Sequence, residues 1–340
     1  MILSLDDEYK ENIEKAAKVI QNGGLVAFPT ETVYGLGANA CNERAVMRIF
    51  ELKGRPQDNP LIAHVDSIPA AKKIAVFNEK AMKLAENFWP GPLTLVLKSF
   101  GVPGAVTAGR DTVGVRMPDC DAALSLISAS GVPIAAPSAN KSGNPSPTLA
   151  SHVKDDFGDE LMILDAGECR VGVESTVIDM TQQPPAILRP GAVTYEMVKS
   201  CIGETACAEA FLPYEKGIPA APGMKYRHYA PRAAVTVVEG NYISVAEAIK
   251  FLYDKDIKKG DSPLIMASRE NKKYYGKRDV AVTGSAGNLH EAAKNLYGLL
   301  RDADEKAYTN IYFEALPKMG IGFAVMNRVY KAAAYNIVKV

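Results

Sequence analysis

The sequence predicts an α/β protein of two domains, and three observations lead there. Its 340 residues exceed what one hydrophobic core usually organises. Short apolar strands alternate with amphipathic helices along most of the chain, the order that builds sheets covered by helices. A Gly/Pro-rich stretch, Gly217-Ile218-Pro219-Ala220-Ala221-Pro222-Gly223, breaks that alternation and reads as a linker. The expected division is a first domain over residues 1–205, a linker over 206–232 and a second domain over 233–340.

Taken in order, residues 9–22 put Ile13, Ala16, Ala17 and Ile20 on one helical face, and Gly23-Gly24 ends the helix. Leu25 to Phe28 is a short apolar strand stopped by Pro29. Asn42 can cap a helix that carries Ala45, Val46, Ile49 and Phe50 inward, with Gly54 just past its end. Leu61 to Val65 is strand-like, and Asn78 opens a helix running to Phe88. Strands follow at Leu93–Leu97, Val113–Arg116 and Ile134–Ala136, with a helix near 120–130. Ser146-Pro147 supplies an N-cap followed by Pro at the first helical position, so a helix is expected there. Strands at Leu161–Leu164, Val173–Asp179 and Ala186–Leu188 come next, then a short helix after Thr194. From Val235 the alternation becomes regular: strands near 235–238, 264–267, 280–282 and 311–314, with helices at 244–254, 288–302 and 321–334. That order suggests βαβ units around a small parallel sheet.

With 47% hydrophobic and 23% charged residues, the chain has an ordinary globular composition. Lys+Arg and Asp+Glu balance at 39 each, which argues against a dedicated nucleic-acid binder, a local basic face aside. No apolar run approaches the roughly 20 residues that span a bilayer. The first residues, MILSLDDEYKENIEK, are acidic where a signal peptide would be basic and then apolar. A cytoplasmic protein without membrane attachment is expected. Cys41, Cys120, Cys169, Cys201 and Cys207 are scattered, which suits buried thiols in a reducing compartment. The four histidines lack metal-ligand spacing, so no protein-bound transition metal is expected.

Three polar loops carry the chemistry: Lys53-Gly54-Arg55-Pro56, Ser138 to Gly143, and Leu188-Arg189-Pro190-Gly191. Guanidinium, ammonium, hydroxyl and free backbone N–H groups in irregular chain are what a polyphosphate needs. Lys53 would also stabilise its own helix end by complementing the dipole. Arg55, held between Gly54 and Pro56, fits phosphate recognition better, with the Asn59 amide beside it. Ser138 and Asn140 lie between a strand and the helix expected at Ser146, where exposed N–H groups would suit an anion. His64, alternating with apolar residues, is a core histidine on pattern alone. Arg116 would be costly inside a sheet without an anion, and Asp119 could supply one. Glu174 would answer one of these arginines. Gly35-Leu36-Gly37-Ala38-Asn39-Ala40 matches a dinucleotide fingerprint, with Asp66 as a ribose ligand, but six residues separate the strand from its first glycine.

The segments PTETVYGLG, KGRPQDNPLIAHV, FWPGPLTLVL, VGVRMPD, PIAAPSANKSGNPSPT, VGVESTVID and ILRPGAV, in that order from Gly23 to Ala192, resemble the YrdC family, the threonylcarbamoyl-AMP synthases. The linker APGMKYRHYAP and the C-terminal region are similar to its two-domain members. The resemblance implies a twisted, open mixed sheet with helices and a concave basic cavity, plus a smaller Rossmann-like α/β domain. It implies a nucleotidyltransferase that condenses threonine, bicarbonate and ATP into threonylcarbamoyl-adenylate and pyrophosphate. That product feeds modification of adenosine 37 in tRNA through a downstream transferase, and direct RNA contact is not required. On the same resemblance, Lys53 and Arg55 are catalytic and hold the ATP phosphates, with Asn59, Thr112, Ser138, Asn140, Ser146, Arg189 and Tyr229 also on the nucleotide. Thr32, His64, Arg116, Ala136 and Ser175 are the threonine positions. Arg116 would grip the carboxylate while Thr32 or Ser175 reads the hydroxyl. Mg²⁺ would arrive with ATP, and Tyr226 to Tyr229 would close over the cavity as a lid. Two other readings remain at this point, a non-catalytic RNA-binding module and a dinucleotide-dependent oxidoreductase.

Overall fold

In the computed structural model, residues 1–6, 8–207 and 229–340 are described, and they divide into two units. The first comprises residues 1–142 and 146–207, the second residues 143–145 and 229–340. The linker expected over 206–232, with Tyr226 of the expected lid, therefore lies largely outside the described residues.

The first unit is a twelve-stranded mixed sheet flanked by helices. In chain order its strands are β1 (Ile2–Ser4), β2 (Val26–Phe28), β3 (Gly35–Asn39), β4 (Ile62–His64), β5 (Ala75–Val76) and β6 (Leu93–Ser99). They continue as β7 (Thr112–Arg116), β8 (Ile134–Ala136), β9 (Met162–Asp165), β10 (Thr176–Asp179), β11 (Ala186–Arg189) and β12 (Ala206–Cys207). The spatial order is β1-β9-β2-β3-β8-β4-β7-β6-β10-β11-β12, with β5 beside β6. Helices α1 (Tyr9–Gln21), α2 (Glu43–Lys53), α3 (Ile68–Ala71), α4 (Glu79–Phe88), α5 (Gly104–Thr107), α6 (Asp121–Ser130), α7 (Ala150–Phe157) and α8 (Tyr195–Ile202) connect them. The capping chemistry is as read: Asn42 and Asn78 accept from the N–H groups of Ala45 and Ala81, and Gly54 ends α2 with φ 60°.

Two expectations fail locally. The Gly35–Ala40 stretch is not a strand-to-helix turn but a strand, β3, paired antiparallel with β2 and β8. Its glycines make room for an aromatic ring. A Cβ on Gly37 would stand 2.8 Å from the Phe28 ring and 2.7 Å from Ile134. This removes the dinucleotide reading. Ser146 does not cap a helix either. Pro147 O accepts from Tyr34 N at 2.9 Å and Thr148 O from Cys169 N at 3.0 Å, which holds the segment extended until α7 starts at Ala150. The thiols are also less buried than expected: only Cys169 is fully enclosed, while Cys41 and Cys207 are exposed and all five are free.

The second unit is a five-stranded, wholly parallel sheet of order β15-β14-β16-β13-β17, formed by β13 (Ala234–Glu239), β14 (Pro263–Ser268), β15 (Val280–Gly284), β16 (Asn310–Glu314) and β17 (Ile337–Lys339). Helices α9 (Tyr242–Lys259), α10 (Leu289–Glu305) and α11 (Ile321–Ala332) alternate with the strands. Val237, Val238, Ile265 and Met266 are fully buried, as strands covered on both faces should be. This is the small parallel sheet of βαβ units that the alternation suggests.

Candidate active site

Register places the candidate residues before any contact is considered. In β7, Thr112 and Arg116 share one face, four residues and about 13 Å apart. His64, ending β4, is the register partner of Arg116, and Ala136, ending β8, is that of Ile62. Gly35 and Ser138 form a bridge where β3 meets the loop after β8.

Several of the residues expected on the nucleotide gather around α2. Lys53 is buried at the helix end, and its Nζ donates to the carbonyls of Ser138, at 2.6 Å, and of Asn140. Ser142 N donates back to Lys53 O at 3.0 Å. The ammonium thus ties two loops together, a role more specific than dipole compensation. Arg55 curls over its own turn, with Nε donating to Asn59 O at 3.2 Å and Nη2 to Pro60 O at 3.0 Å. Asn59 is the telling residue: it is 1% exposed, and neither atom of its side-chain amide has a hydrogen-bond partner among the described residues. An orphaned buried amide is rare unless a ligand completes it. Ser138 Oγ donates to Asn140 Oδ1, and Asn140 Nδ2 to Lys141 O at 2.8 Å. Buried Ser146 donates to Glu174 Oε1 at 2.6 Å.

Of the residues expected on threonine, Arg116 contacts Thr32 directly and pairs in register with His64. Its Nη1 donates to Thr32 Oγ1 at 3.0 Å, and Thr32 Oγ1 also meets Thr30 Oγ1 at 2.9 Å. The anion expected beside Arg116 is not Asp119, which pairs with exposed Arg170 at 2.7 Å instead. It is Glu31, whose Oε2 lies 2.6 Å from Arg116 Nη2 in a fully buried pair. The two groups are close but misaligned, so neither Glu31 oxygen accepts a hydrogen bond from the described residues. Sequence reading passed over Glu31, although it is the only charge between Lys18 and Glu43. His64 is buried edge-on against Phe28, with ring centroids 5.8 Å apart. Burial, and then the Arg116 charge, push its pKa down to about 3, so it is a neutral imidazole in ordinary buffers.

Arg189, expected on the nucleotide, contacts Ser175, expected on threonine. Its Nε donates to Ser175 O at 3.0 Å and its Nη2 to Ser175 Oγ at 3.1 Å, while Thr94 Oγ1 meets Ser175 Oγ at 2.8 Å. Tyr229, expected on the nucleotide, belongs to the second unit. It takes a positive φ of 66°, and its ring packs 5.5 Å from that of Tyr297 with the Arg328 guanidinium 5.9 Å away. Among the described residues no group of three or more His, Cys, Asp or Glu is arranged to cage a metal. The arrangement suits alignment and charge stabilisation of anionic groups, without an acid–base dyad.

Residues 18–191 match the family model Sua5_yciO_yrdC, described as "Telomere recombination", and residues 193–334 match Sua5_C, described as "Threonylcarbamoyl-AMP synthase, C-terminal domain". The chain is 48% identical to the threonylcarbamoyl-AMP synthase of Pyrococcus abyssi, covering 100% of this chain and 99% of that protein. It is 42% identical to the Bacillus subtilis protein of the same name, over 99% and 98% of the two chains. The solved structure of P. abyssi Sua5 complexed with L-threonine superposes with a TM-score of 0.94 at 48% identity, covering 100% of this chain and 99% of that one. With both family models matched in succession, the chain belongs to the Sua5/YciO/YrdC family.

Proposed function

We propose that this chain is a threonylcarbamoyl-AMP synthase, a nucleotidyltransferase that joins L-threonine, bicarbonate and ATP into threonylcarbamoyl-adenylate with release of pyrophosphate. One observation carries the reading: a cationic and amide group at Lys53, Arg55 and Asn59 and a small polar group at Thr32, Arg116 and Ser175 lie in one folded unit, in a chain similar over its full length to proteins of that name. Threonine's free amine condenses with bicarbonate, losing water, to give an anionic carbamate. Its oxygen attacks the α-phosphorus of ATP without a strong general base, and pyrophosphate leaves. The protein aligns the reactants and stabilises charge at the phosphoryl centre. Arg55 and Lys53 take the phosphates, and Asn59 offers its unpaired amide to the nucleotide. Arg116 takes the threonine carboxylate, and Thr32 or Ser175 its hydroxyl. Mg²⁺ comes with ATP, held by phosphate oxygens and water. The product passes to a tRNA-modifying transferase in the cytoplasm.

An RNA-binding role without catalysis is not favoured, because the chain is 48% and 42% identical over nearly its full length to proteins named for the synthase activity. No described helix is long and apolar enough to cross a membrane. Losing a charge-assisted contact worth ~1.5–3 kcal/mol should make Arg55→Ala turn over ~10–100-fold more slowly. An Arg55→Ala enzyme with unaltered ATP KM and kcat would remove Arg55 from the site.

A further inference from the structure

We propose that Glu31 is a specificity-determining residue that receives the ammonium group of the amino-acid substrate, so that threonine binds by exchanging partners with the Glu31–Arg116 ion pair. The proposal rests on the threonine site assigned above. Glu31 and Arg116 are 2% and 4% exposed at the side chain and 2.6 Å apart, an ion pair wholly removed from water. Burial of that kind is repaid only when good geometry and further hydrogen bonds satisfy the charges. Here neither carboxylate oxygen receives a hydrogen bond from the described residues, although the Glu31 backbone is fixed by Val171 N at 2.8 Å. Residue Glu31 also borders a cavity of about 390 Å³, a volume in the range of small-molecule sites, shared with Asp119, Asp121, Glu168 and Arg170.

A zwitterionic amino acid carries the opposite pair of charges. Inserted between the two side chains, it turns one ill-aligned ion pair into two. Its carboxylate takes Arg116, beside Thr32, and its ammonium takes Glu31. No buried charge is left alone. A carboxylic acid without the ammonium would pull Arg116 away and strand Glu31, which is costly.

Titration calorimetry on the full chain tests this with two probes, threonine and 3-hydroxybutanoate, which lacks the ammonium. The wild-type protein should bind threonine well and 3-hydroxybutanoate poorly. Glu31→Gln should weaken threonine by about 10–100-fold, the loss expected for one charge-assisted contact. The same variant should bind 3-hydroxybutanoate as well as or better than the wild type, because Arg116 is then unopposed. Glu31→Asp keeps the charge and should keep the preference for the zwitterion. Equal binding of both probes by the wild type would overturn the proposal, and so would parallel loss of both in Glu31→Gln. Arg116→Ala separates the two layers of the argument. Undiminished threonine binding there removes the threonine site itself. Lost binding there with an unchanged probe ratio in Glu31→Gln removes only the role of Glu31.

Discussion

His64 lies beside Arg116 in register, yet its burial makes it a neutral spacer and not a proton carrier. Its pKa falls from 6.5 to about 3 on folding, so between those values the unfolded chain binds a proton that the folded one does not. Stability contributed this way is complete above the unfolded value and is lost as pH falls from about 6.5 towards 3. Urea midpoints measured across that window should decline on acidification, and His64→Gln should decline less steeply. Identical slopes in the two proteins would contradict the buried, neutral assignment. At this scale the sequence named the candidate residues but not their partners. Lys53 could be read as a helix-terminal cation because the helix is local, whereas its acceptor on Ser138 lies 85 residues away. Arg116 was matched to Asp119 by proximity in sequence, and the fold supplied Glu31 instead. The buried arginine's need for an anion was legible, but which carboxylate answers it depended on a loop whose path no local rule fixes.

Helices were the readable elements, since each buries a stripe of its own and carries its own caps. Helix α2 ends at Lys53 with Gly54 beyond it, as its periodicity and glycine announced. Strand β3 was missed because Gly-Leu-Gly-Ala-Asn lacks β-branched residues and imitates a phosphate turn. Its glycines answer to a neighbouring strand: they let Phe28 lie across β3 and bring its ring to His64. Gly37→Val should therefore overpack this crossing and cost roughly 1–3 kcal/mol, read as a lowered midpoint in chemical denaturation. A variant as stable as the wild type would mean that Phe28 has room to move. The short extended run at Ser146 teaches the same lesson in reverse. A local N-cap signal lost to backbone pairing with Tyr34 and Cys169. That loss matters, because it frees the Ser146 hydroxyl to meet Glu174 instead of a helix N-terminus.

For the whole molecule, the parallel sheet of the second unit was legible because strand and helix take turns along the chain. The order of the first sheet was not, since β9 enters between β1 and β2 from more than a hundred residues downstream. Resemblance supplied what pattern could not: motifs scattered from Gly23 to Ala192 belong to one family model, and a second family match extends the likeness through the second unit. On the proposed function, the two polar groups cooperate on a ternary reaction and do not hydrolyse a nucleotide. The most direct test supplies ATP, threonine and bicarbonate and follows pyrophosphate release while omitting each component in turn. Release that requires all three is the predicted result, and release that persists without threonine or without bicarbonate would contradict it.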